Sequence, residues 1–223
     1  MTFKDIVKIY EEKKKEYGNK TYKYISQIFV EIKARHRKDA LNRGIKDTDQ
    51  SWRSFKGHNL EKLIEYIIAD EVRSLGLETI NGNKLERRII DDEILSKVKR
   101  NLLVDFGKFG THLPDADIVI YNPKTAKIIA IISSKVTLRE RVSETGYWKL
   151  KLKEQKITQH IKVFFATLDE DGVLTTKYPT KKPRAICEVD TDACYVLTTE
   201  KIETSKNIKL FSEFFDDLKK LQF

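Results

Sequence analysis

The fold turns on the stretch Pro114-Asp115-Ala116-Asp117-Ile118-Val119-Ile120-Tyr121, a connection containing Asn122-Pro123-Lys124-Thr125, and Ile128-Ile129-Ala130-Ile131-Ile132-Ser133-Ser134-Lys135. Ile118–Tyr121 and Ile128–Ile132 are short, apolar and rich in β-branched residues, the pattern of strands buried on both faces. The connection is turn chemistry, with Pro123 fixing φ where no ladder donor is wanted. A hairpin follows, with acids opening its first strand and a lysine closing its second. Antiparallel pairing brings these groups to one end of a sheet. That end suits phosphodiester hydrolysis, where carboxylate oxygens hold Mg²⁺ and a cation sits near the attacking water and the phosphate.

Outward from the hairpin, helical and extended patterns alternate. Leu138 to Lys156 predicts a helix carrying Arg139, Arg141, Lys149, Lys151 and Lys153. Ile161–Ala166 predicts a strand, Asp169–Gly172 a turn and Ala193–Thr198 another strand. Ser205–Phe223 predicts an amphipathic helix with Ile208, Phe211, Phe214, Phe215 and Leu218 inward. Upstream, Thr2 caps a helix on which Phe3, Ile6, Val7 and Tyr10 recur, ending near Gly18. Tyr22–Leu41 predicts a second helix and Gly44–Ser51 a loop. Leu60, Ile64, Ile67, Ile68, Val72 and Leu75 mark one face of a third helix. A turn at Asn81–Asn83, a short strand near Arg87–Ile90 and a helix over Asp92–Leu103 complete the order. The pattern predicts one α/β (α+β) domain over residues 1–223, a central mixed sheet flanked by helices. Within it lie a helical N-terminal extension (1–50), a core (52–200) and a C-terminal helix (205–223).

Lys and Arg number 43 against 34 Asp and Glu, a formal charge of +9. That surplus suits a polyanionic partner, because each phosphate neutralised releases counterions. Solvated lysine-rich faces give the same balance, so the charge gains weight only beside the hairpin. Cys187 and Cys194 match neither a zinc pair nor a redox motif and read as two buried thiols. The four histidines, His36, His58, His112 and His160, show no metal-ligand spacing. No apolar stretch is long enough to span a membrane, and Met1–Asp5 lacks a signal peptide's apolar segment, which predicts a cytoplasmic protein with no membrane partner. No Gly-rich phosphate loop or serine elbow occurs, which argues against a nucleotide cofactor.

The ordered set of Pro114-Asp115-x-Asp117, Ser133-Ser134-Lys135 and the basic helix after it resembles the PD-(D/E)XK nuclease superfamily, and within it the type II restriction endonucleases. Trp52-Arg53-Ser54-Phe55-Lys56-Gly57-His58-Asn59-Leu60-Glu61 adds to it, resembling the glycine-x-x-x-glutamate element that places an auxiliary carboxylate from the first core helix. The resemblance covers residues 52 to 200. It implies a restriction-endonuclease-like core, Mg²⁺ as cofactor, and sequence-specific double-stranded DNA cleavage to 5′-phosphate and 3′-hydroxyl ends. Two-fold symmetric sites in duplex DNA favour a homodimer. A structure-specific repair or junction nuclease, or a DNA-binding module with a decayed site, would share the same fold.

One position departs from the motif: Ser133 stands where the family has Glu or Asp, and serine is a poor Mg²⁺ ligand. The resemblance implies relocation of that acid to the following helix, where Glu140 and Glu144 are candidates and Glu140 is preferred. Asp117, immediately before Ile118, is expected as the primary metal ligand, Asp115 as a further one, and Glu61 as the auxiliary acid, with Gly57 allowing close approach. Lys135 is expected either to steady the developing charge and orient the attacking hydroxide or to accept the water's proton. Arg53, Lys56, Arg139, Arg141 and Lys149 are the expected DNA contacts.

Overall fold

The computed structural model describes residues 1–139 and 141–221. Helix α1 (Phe3–Tyr17) runs through a 3₁₀ segment, Gly18–Tyr24, into α2 (Ile25–Asn42), and α3 (Thr48–Ser74) follows. Strand β1 (Glu78–Asn81), the one-turn helix α4 (Gly82–Leu85), α5 (Glu93–Leu102) and a small ribbon of β2 (Val104–Asp105) and β3 (Thr111–His112) lead to the hairpin β4 (Ile118–Tyr121) and β5 (Ile128–Lys135). Beyond it come α6 (Arg141–Lys153), β6 (Lys162–Thr167), α7 (Lys182–Asp190), β7 (Ala193–Val196), β8 (Ile208–Leu210) and α8 (Phe214–Lys219).

Six strands form one mixed sheet in the order β1-β4-β5-β6-β7-β8. The β1–β4 and β4–β5 pairs are antiparallel, and β5 to β8 run parallel. The start of β4 therefore lies at the carboxyl end of β5, the end where ligands gather in open α/β sheets. One face packs under α1, α2, α3 and α8, through Ile28, Phe29, Leu60, Ile64, Ile132 and Phe214. The other packs on α5 and α6 through Val98, Leu102, Val119, Ile131 and Leu152. The first 42 residues thus join the main core through Ile6, Ile25 and Ile32, all fully buried.

Four sequence expectations are corrected. Residues 44–51 are not wholly loop: the Asp47 carboxylate accepts the Gln50 N–H at 2.8 Å, a cap that starts α3 at Thr48. The first sheet strand is Glu78–Asn81, not Arg87–Ile90, whose Ile89 is 75% exposed. A helix at Lys182–Asp190 went unpredicted because its fully buried side chains are Cys187 and an arginine, Arg184, which donates to the Leu174 and Glu203 carbonyls. The segment from Ser205 is not one helix: Ile208–Leu210 adds the edge strand β8, and Phe211, Phe214 and Leu218 fill the core from a 3₁₀ turn and α8.

Candidate active site

Asp117 sits at the sheet end one residue before β4, buried at 8% exposure. Its backbone N–H donates to the Ile132 carbonyl at 3.1 Å, so it extends the antiparallel ladder opposite Ser133. The carboxylate is then held from the neighbouring strand. The Ser134 N–H donates to Oδ2 at 2.6 Å, and the Lys135 Nζ lies 3.0 Å from Oδ2 and 3.4 Å from Oδ1. Ser133 and Lys135 are two apart on β5 and share a face. Ser133 thus occupies the motif's second acidic position, but its Oγ donates only to the Asp115 carbonyl, at 3.3 Å.

Glu61 reaches this end from α3, with a side chain 15% exposed and His58 Nδ1 3.8 Å from its carboxylate. Burial pushes its carboxyl up to about 7, and the negative charge of Asp117 adds to the effect, against the Lys135 ammonium. Asp115 is exposed and contributes to both neighbours through its charge. Burial opposes the Lys135 ammonium, but Asp117, then Asp115 and Glu61, outweigh it, and its pKa lies above the usual lysine value. Three acids around one lysine make a net anionic cluster.

The close approach expected of Gly57 is not there, since a Cβ at Gly57 would meet nothing within 4 Å. It occurs instead at Gly82, read from sequence as a turn residue. A Cβ there would lie 1.7 Å from the Ala116 carbonyl oxygen, and the Gly82 N–H donates to the Asp117 carbonyl at 3.0 Å. The start of α4 therefore braces the backbone that carries Asp117. The only sequence signal for this was the glycine itself.

The remaining expected residues divide. Arg53, Arg139 and Arg141 are exposed. The Asp171 carboxylate accepts the Leu138 and Arg139 N–H groups at 3.3 Å each, and Arg139 has φ +39. Lys149 is buried at 6% exposure and ion-paired with Asp192, and Lys56 is buried at 8% exposure and paired with Glu170, so in the free protein both ammonium groups are engaged with acids of the fold. Glu144 is exposed, and Glu140 lies outside the described residues.

Among the described residues, no three His, Cys, Asp or Glu side chains converge on a single ion position. The donors nonetheless suit Mg²⁺ chemically. They are hard carboxylate oxygens, few in number, and Mg²⁺ binds through one or two carboxylates and keeps several waters. The elevated Glu61 carboxyl fits too, since crowded acids are the groups a cation relieves.

Residues 94–217 match the family described as BsaWI restriction endonuclease type 2. A relative named as the type II restriction enzyme MjaVIP, from Methanocaldococcus jannaschii, is 38% identical over 98% of this chain and 93% of its own length. This chain belongs to the BsaWI family of type II restriction endonucleases. A Helicobacter pylori relative, named as the type II restriction enzyme HpyAORF263P, is 36% identical over 70% of this chain and 85% of its own. Among solved structures, a PspGI–substrate DNA complex aligns with TM-score 0.49 at 18% identity, covering 89% of this chain and 76% of that one. A pre-specific BsaWI–DNA complex aligns with TM-score 0.48 at 15% identity, covering 97% and 91%. The family match holds Asp117 and Lys135. Glu61 falls outside those limits, on the α3 helix that the MjaVIP alignment spans.

Proposed function

We propose that this restriction endonuclease cuts double-stranded DNA at a specific sequence, with Mg²⁺, at the Asp117, Lys135 and Glu61 cluster, leaving 5′-phosphate and 3′-hydroxyl ends. The observation that carries the reading is the Lys135 ammonium 3.0 Å from the Asp117 carboxylate at the carboxyl end of the parallel strands. Asp117 is the main ligand, with Glu61 and Asp115 helping and Glu140 as a further candidate. When bound, Mg²⁺ would polarise a phosphate oxygen and lower the pKa of a coordinated water. Without metal, the acids around Lys135 hold its pKa up. As an ammonium it stabilises charge developing on the phosphate. The Ser134 N–H fixes the orientation of the Asp117 carboxylate.

Arg53, Arg139 and Arg141, exposed on the segments flanking the cluster, supply the DNA contacts, and a homodimer gives each strand its own site. The cytoplasm, where the target DNA lies, is the expected location. The test is incubation of the purified protein with plasmid and Mg²⁺, followed by sequencing of the fragment ends. Discrete fragments with 5′-phosphates are expected. Intact plasmid at all Mg²⁺ concentrations would overturn the reading.

A further inference from the structure

A recess enclosing about 310 Å³ lies between α3 and the segment from the end of β1 through α4. His58, Lys62 and Glu65 line it from α3, at spacings of four and three residues that place them on one stripe beside Glu61. Asn81, Lys84 and Arg87 line it from the other side. Both walls are tied to the cleavage cluster. Asn81 is in register with Ile118, the residue after Asp117, and the Gly82 N–H holds the Asp117 carbonyl.

The recess is cationic. Lys62, Lys84 and Arg87 take part in no ion pair among the described residues, although Glu65 is nearby. Burial pushes the Glu65 carboxyl up, with Lys84, a hydrogen bond from Thr79 and Lys62 opposing it, so this one acid faces two cations, and Arg87 adds a third to the recess wall. The His58 imidazole is pushed down by burial and by Lys62, which marks local positive potential. Asn81 adds a neutral donor: its Oδ1 accepts the Asn83 N–H at 3.1 Å, which leaves the amide NH₂ available.

We propose that this recess seats a backbone phosphate of the cleaved strand, adjacent to the one attacked at Asp117, and so sets the strand's register over the cluster. The inference rests on the nuclease reading and adds a second, non-reacting phosphate site to it. A strand whose reacting phosphate meets Asp117 and Glu61 passes next along the α3 flank, where Lys62, Lys84 and Arg87 are held. A phosphate contact carries no base information, so this seat contributes affinity and position, not sequence choice.

The test is the salt dependence of duplex binding by the full-length protein without divalent metal, using one labelled duplex containing the cleavage site and one lacking it. The variants are Lys84→Ala/Arg87→Ala and, separately, Lys62→Gln. Lys206→Ala serves as a control, removing an exposed lysine beside the start of β8, at the opposite end of the sheet. The seat predicts affinity about tenfold lower for both duplexes. It also predicts a log K against log salt slope shallower by about 1, with the control unchanged. Lys84 and Arg87 are exposed, so thermal unfolding of the double variant should match wild type. A wild-type slope in the double variant and in Lys62→Gln would overturn the seat and leave the nuclease reading standing. No duplex binding by wild type would overturn both.

Discussion

Glu61→Gln separates the work of the site from the stability of the fold. The Glu61 carboxyl titrates at about 7 in the folded chain against 4.5 as its ordinary value. Between those values the folded state holds a proton that the unfolded state has lost, so stability falls as pH rises. At 1.36 kcal/mol for each pKa unit, ionised Glu61 costs on the order of 3 kcal/mol, most of it incurred between pH 5 and pH 8. Solvent screening removes little of this, because the side chain is only 15% exposed. Set against total stabilities of about 5–15 kcal/mol, the effect is large. Glutamine imitates the protonated acid and escapes it. Urea unfolding of wild type and Glu61→Gln without metal should therefore give nearly equal stabilities at pH 5 and a variant about 2–3 kcal/mol more stable at pH 8. Other titrating groups, such as Asp169 and His36, cancel in the difference between the two proteins. At pH 8, Mg²⁺ should raise the wild-type melting temperature more than the variant's, and the variant should cleave poorly. A variant-minus-wild-type difference flat to within about 0.5 kcal/mol across this range would refute the electrostatic argument.

Lys149→Ala should lose about 1–3 kcal/mol in denaturant unfolding, because it removes a buried ion-pair partner from Asp192, which keeps Lys162 at 3.6 Å and the Val163 N–H, while DNA affinity of the folded fraction stays near wild type. Wild-type stability with weakened binding would return Lys149 to the DNA surface. Gly82→Ala forces the Ala116 carbonyl aside, so kcat should fall at least tenfold in steady-state cleavage, with DNA affinity retained. A wild-type kcat would show that Asp117 does not depend on that brace.

The hairpin was legible because Ile118–Tyr121 and Ile128–Ile132 are apolar on both faces, a pattern few other structures produce. Its ends carried the Asp117 and Lys135 placement with them, since strand register is a local property. Glu61 was visible only as part of a resemblance, and Gly82, which braces the Asp117 backbone, was visible only as a turn glycine. β1 was hidden because one residue of its four, Ile80, is buried. α7 was hidden because one of its two fully buried residues, Arg184, is an arginine, a type that reads as surface, which leaves Cys187 alone to mark the face. The pairing of Lys56 and Lys149 was hidden in the same way. Charge counts exposed groups only if the acids that neutralise them are known, and Glu170 and Asp192 lie 114 and 43 residues away in sequence.

The most direct test of the central claim is Lys135→Ala, with plasmid cleavage in Mg²⁺ measured beside binding of the same DNA. If the ammonium beside Asp117 stabilises the reacting phosphate, cleavage falls by about 10²–10³-fold or more. Binding should stay within about threefold, since one phosphate contact among many is lost. Cleavage near the wild-type rate would contradict the account.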